Sequence, residues 1–165
     1  MPQWRHPRTA DSLIGARTGE GRQRAAHLTG LLRHQRQDCL IVACETMGSA
    51  SFAAGLAAGH PVRLERIETV ASSLGASRVA AWPLAQIQRF AYRSLVLSDA
   101  EAILGVVRYA DDLRQLVEPA CGVSLAVAYL DHPAIAAARD VVIVVCGGVS
   151  ISARQVAQWN ALLPA

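Results

Sequence analysis

Two short, unbroken apolar runs, Cys39–Cys44 (CLIVAC) and Val141–Val145 (VVIVV), each lead into a polar turn that carries glycine. Runs of this length with apolar side chains on both faces need cover on both faces, the situation of interior strands in a parallel sheet flanked by helices. Ser94–Leu97 is a third run of the same kind, and a brief strand is expected around Arg78–Ala80. Segments of helical period separate them. Ser51–Ala58 is expected as a helix stopped by Gly59 and kept from resuming by Pro61. Ile67–Leu74 reads as one or two helical turns closed by Gly75, and a helix is expected near Pro83–Phe90. Ser98 and Glu101 make an S-x-x-E capping box that opens a helix over Asp99–Ala110. Glu118 and Pro119 open another through Tyr129, and Ser152–Leu162 closes the chain as an amphipathic helix. Strands alternating with helices predict an α/β domain with a mostly parallel sheet.

Met1–Gln37 departs from this pattern. It is rich in arginine, glutamine and histidine and has no sustained apolar period, so it is expected to be irregular or poorly ordered, leaving 38–165 as one domain without internal repeats. The chain is 52% apolar and 18% charged, enough to bury a core at this length. Its net charge of +3 is dispersed outside the N-terminal arginines, which argues against nucleic acid or a membrane surface as partner. Neither a spanning apolar run nor a signal-peptide core is present, and cytoplasm is the expected location. Cys39, Cys44, Cys121 and Cys146 lack the spacing of a zinc site and the density of a secreted disulfide scaffold, so they are expected as thiols in a reducing compartment.

Open α/β sheets place their chemistry beyond the carboxyl ends of the strands. After the first run comes ETMGSASF, where Glu45, Ser49 and Ser51 crowd a glycine turn. Such hard oxygens could hold a cation, but residue types alone favour the plainer reading, capping of the next helix. After the last run comes CGGVS, in which glycines let a flat ligand approach the backbone. A ring or anion site and a buried structural cysteine at Cys146 are both compatible with it.

Three blocks, in order and near the right separation, resemble the serine/threonine dehydratases, fold-type II pyridoxal-phosphate enzymes. ETMGSASFAAGLAAG is similar to that family's E-T-x-G-A-x-S-F segment, EPACGVSLA to E-P-A-C-G-x-x-L-A, and VVIVVCGGVSIS to V-I-V-C-G-G-x-N-I-S. RIETVASSLGASRVA lies where the family has I-T-S-V-A-x-x-L-G. The resemblance runs from about Asp38 to Leu163 and implies the rear of the larger, cofactor-binding domain, a partial three-layer α/β unit related to the tryptophan synthase β fold. Cysteine at Cys146 points to the L-serine dehydratase branch, in which L-serine gives pyruvate and ammonia and L-threonine gives 2-oxobutanoate.

Position by position, the resemblance places Cys146 at the pyridine nitrogen of pyridoxal phosphate, Gly147 beside it, and Ser73 against one ring face. It implies a monovalent or divalent cation held by Glu45 and Ser51 with backbone oxygens of Ser49, Leu74 and Ala76. Counting back without gaps puts the phosphate loop at Gly19–Arg22, where Gly19 and Gly21 match glycines but Glu20 sets a carboxylate against a dianionic phosphate. Ser150 replaces the family's asparagine after C-G-G.

One departure outweighs the rest. All 16 cations of the Lys+Arg total are arginine, and the family's S-x-K-x-R-G segment with its Schiff-base lysine is absent. A guanidinium stays protonated and cannot take over. The expectation is a truncated dehydratase inactive by itself, needing a lysine-bearing partner or half, with a homodimer or partner chain covering the incomplete sheet. The first three dozen residues are expected to derive from a shifted reading frame or a misplaced start. The alternative is a non-catalytic binding or assembly module on a remnant fold.

Overall fold

The computed structural model describes residues 12–15, 40–87 and 91–163. Its sheet has four strands, β1 (Ser12–Gly15), β2 (Leu40–Thr46), β3 (Tyr92–Leu97) and β4 (Val141–Ile143), in the order β3-β2-β1-β4. Every pairing is parallel, as the unbroken apolar runs require: Ser12 sits opposite Leu40 on one side and Val141 on the other, and Ile41 opposite Tyr92. β1 corrects one expectation, because a strand, and one in the sheet interior, lies within the segment read as irregular. A strand of four residues offers too few positions to register as a period. The rest of that segment, with Cys39, lies outside the described residues.

β2 is buried from Ile41 to Thr46, and alternation along it feeds two cores. Val42 and Cys44 face a core with Ala120, Val123, Ala126 and Val127. Ile41 and Ala43 face the other way, toward Phe52, Val79 and Leu84. Helices α1 (Ser51–Ala58) and α2 (Ala81–Ile87) contribute to the second core, while α3 (Asp99–Leu113) and α4 (Pro119–Tyr129) lie over the first. The result is the expected three-layer arrangement. Helix α5 (Ala153–Asn160) packs outside α3, its Val156 joining Val106, Val117, Cys121 and Leu125.

The caps follow the sequence closely. Gly59 ends α1 at φ 73°, in the left-handed region that glycine enters without strain. The capping box of α3 forms with both bonds, Glu101 N–H to Ser98 Oγ at 3.2 Å and Ser98 N–H to Glu101 Oε2 at 2.6 Å. The turns expected over Ile67–Leu74 shrink to a 3-10 turn at Ser72–Leu74, and the strand expected at Arg78–Ala80 is reduced to isolated bridging, with Arg78 antiparallel to Arg63. α3 and α4 meet backbone to backbone, since a Cβ on Gly105 would run into the Gly122 carbonyl oxygen. No helix among the described residues is long and apolar enough to cross a membrane.

Candidate functional site

β2 ends by delivering Glu45 and Thr46 into a 3-10 turn, Met47–Ser49, that leads into α1. Glu45 is buried, and both of its carboxylate oxygens accept backbone N–H groups of α1, from Phe52 at 2.7 Å and Ala53 at 2.9 Å. A buried anion therefore neutralises two of the four amides that a helix leaves unpaired at its start. The residue at the cap position itself, Ala50, has no side chain able to do so. Of the two readings of Glu45, helix capping is visible directly.

Ser49 and Ser51 are buried on the same turn, and Leu74 and Ala76 are buried on the segment beyond α1. A chain of hydroxyls ties the two segments together. Thr46 Oγ1 lies 2.8 Å from both Ser49 Oγ and Thr69 Oγ1, and Thr69 donates to Asp99 Oδ1 at 2.6 Å while accepting from Ala71 N–H at 3.0 Å. Val70 N–H donates to the other oxygen of Asp99 at 3.0 Å. Because Thr69 spends its only proton on the carboxylate, Thr46 must donate to Thr69, and Ser49 to Thr46. Ser49 Oγ is left with lone pairs alone. The Leu74 carbonyl already accepts the Ala76 N–H at 2.6 Å. Among the described residues no group of three His, Cys, Asp or Glu side chains could hold a metal ion, so any cation here would rest on hydroxyl, carbonyl and Glu45 oxygens. The link from Thr46 through Thr69 to Asp99 escaped the sequence reading, because its successive partners stand 23 and 30 residues apart, at the end of β2, in a loop and at the start of α3.

The second turn, after β4, is held from α4. Glu118 N–H donates to the Gly147 carbonyl at 3.0 Å, Ser150 Oγ donates to Glu118 Oε2 at 3.0 Å, and Cys146 N–H donates to Cys121 Sγ at 3.4 Å. Cys121 Sγ–H in turn points at the Gly147 carbonyl at 3.6 Å. Gly148 presses on the Leu116 backbone so closely that a Cβ would overlap its carbonyl oxygen, which explains the second glycine. These contacts fix the backbone and leave the Cys146 thiol exposed, correcting the reading of Cys146 as a buried structural cysteine. Among the described residues Cys44 and Cys121 are buried, and burial pushes their thiols up from 9.0 to about 12 and about 11. Ser73 is half-buried on the 3-10 turn that packs against α4. Glu118 and Cys121 as supports of the turn were not anticipated, although E-P-A-C was in view.

The profile of the pyridoxal-phosphate dependent enzymes matches residues 12–147. The chain belongs to that family. The match begins at β1, ahead of Asp38, where the resemblance is expected to start. The mouse (Mus musculus) serine dehydratase-like protein is 43% identical over 145 residues, covering 83% of this chain and 44% of the relative. A putative truncated L-serine dehydratase of Saccharomyces cerevisiae is 37% identical over 131 residues, 73% of this chain and 61% of the relative. A fungal L-serine ammonia-lyase from Rhizomucor miehei superposes with a TM-score of 0.83 at 29% identity, over 92% of this chain and 50% of that one. The chain thus spans about half the length of the mouse and fungal relatives.

Family membership implies pyridoxal phosphate, and the residues present fit only one side of it. An exposed thiol on a glycine turn can face a ring edge, but the covalent anchor is missing, since these 165 residues include no primary amine other than that of Met1. The cofactor does not fit this chain taken alone. Gly19 and Gly21, the phosphate-loop candidates, lie outside the described residues.

Proposed function

We propose that this chain forms the cysteine-bearing wall of an L-serine dehydratase site that becomes complete only with a lysine from outside these 165 residues. The observation that carries this reading is the Cys146–Gly147–Gly148 turn, pinned from α4 while its thiol remains accessible. The likeness to relatives named serine dehydratase supports L-serine as the substrate, and L-threonine as a second substrate and a cytoplasmic location belong to the same proposal. A homodimer or partner chain fits the exposed apolar positions at the sheet edges, Tyr92 and Val96 on β3 and Val141 on β4. The acceptor-only Ser49, with Glu45, Ser51 and the Leu74 and Ala76 carbonyls, suits a monovalent or divalent cation.

The test is borohydride reduction after incubation of the chain with pyridoxal phosphate, followed by peptide mapping. No pyridoxyl adduct is expected on any internal residue, and no pyruvate from L-serine. Mixing with the lysine-bearing half of a homologous dehydratase should restore pyruvate formation. An internal adduct, turnover by the chain alone, or failure of every such mixture would overturn the proposal.

A further inference from the structure

Cys121 and Cys146 are 25 residues apart in sequence, yet their Sγ atoms stand 4.0 Å apart. One is exposed on a turn and the other is buried in the first turns of α4. Two thiols so placed differ in access but share a line of approach. We infer that they form a modification site, closing to an intramolecular disulfide when the chain meets a low-molecular-weight disulfide.

The geometry gives the order of events. The exposed Cys146 sulfur attacks one sulfur of the external disulfide as thiolate, releasing one small thiol and leaving a mixed disulfide on Cys146. Cys121 then loses its proton, attacks the Cys146 sulfur and releases the second small thiol. The two protein thiols are oxidised by two electrons and the external disulfide is reduced by two. A disulfide holds its sulfurs about 2 Å apart, so they must close by roughly 2 Å from their present separation. With the backbone of the turn held, rotation of the exposed Cys146 side chain supplies that movement, whereas Cys121 is fixed within a buried helix. The Cys146 N–H already donates to Cys121 Sγ, and Cys121 Sγ–H faces the Gly147 carbonyl, so the closing step proceeds along existing contacts. In the closed form Cys146 no longer presents a free thiol. Any effect of this on a cofactor rests on the reading above, but the disulfide itself does not.

The chain's arginines make the test direct. The reduced protein is treated with glutathione disulfide, alkylated and cut after arginine. Cys121 then falls in Gln115–Arg139, Cys146 in Asp140–Arg154, and both Cys39 and Cys44 in Gln37–Arg63. The expected product is monomer in which the first two peptides are joined. A persistent glutathione adduct on Cys146 without a joined pair, a bridge to the Gln37–Arg63 peptide, or a bridge between chains would overturn the inference. Cys121→Ser should instead stop at the Cys146 adduct. Because burial holds the Cys121 thiol up near 11, closure of the mixed disulfide should accelerate about tenfold per pH unit from neutrality to pH 9. A flat rate would show that Cys121 is not the resolving thiol.

Discussion

Replacing Glu45 with glutamine keeps the side chain's shape and removes its charge, so it isolates what the carboxylate does at the start of α1. The carboxylate accepts two N–H groups, at 2.7 and 2.9 Å. An amide has one acceptor oxygen. It would turn that oxygen to the buried Phe52 N–H and set its own NH2 against the partly buried Ala53 N–H. Losing a bond to a charged acceptor and orphaning that donor costs about 1.5–3 kcal/mol, the lower half applying because water reaches the Ala53 side. Loss of the negative charge from the helix N-terminus adds about 0.5–1 kcal/mol. The sum is about 2–3 kcal/mol, or roughly 4–12 °C in midpoint temperature for a chain of this size. Thermal and urea unfolding of Glu45→Gln beside the parent, in buffer free of added metal ions, measures it. If the variant lies within about 0.5 kcal/mol of the parent, the capping argument fails.

Two further outcomes follow from packing and burial. Gly105→Ala gains up to about 1 kcal/mol of helix propensity, but the new methyl meets backbone atoms that cannot rotate away, including the Gly122 carbonyl carbon at 2.9 Å and Ala126 N at 3.0 Å. A net loss of about 2 kcal/mol is expected in urea unfolding, and unchanged or raised stability would refute the close helix crossing. The folded-state value of the Cys44 thiol lies above its ordinary 9.0, at about 12, so its contribution is fully present below pH 9 and is lost as pH rises toward 12. Stability should fall by up to about 1.4 kcal/mol per pH unit over that window, and the fall should be smaller in Cys44→Ala; equal slopes in the two proteins would remove Cys44 as its source.

The strands and caps were legible because local chemistry determines them. Ser98 with Glu101 spells out its own helix start, and the apolar runs mark strands; but of those read as interior only β2 lies inside the sheet, while Ser94–Leu97 and Val141–Ile143 fall on its two edges, a placement set by strand order and not by local sequence. β1 was not legible, since Leu13 and Ile14 are two apolar residues in a polar, arginine-rich stretch, and only pairing to β2 and β4 makes them a strand. At the site, Glu45, Cys146 and the glycines stood out because of their types. The partners that orient them did not: Asp99 reaches Thr69 across 30 positions, and Glu118 reaches Ser150 across 32. Contacts of that separation leave no periodicity to read.

β1 separates β2 from β4, and this dictates an order of assembly. β3 can dock on β2 after closing a span of about fifty residues, whereas β4 finds its place only once β1 is in position and a span of roughly 130 residues has closed. The cysteine turn rides on β4. A substitution in Leu13 or Ile14 should therefore slow the maturation of a thiol site at the far end of the chain while leaving the β2–β3 half to form at its own pace.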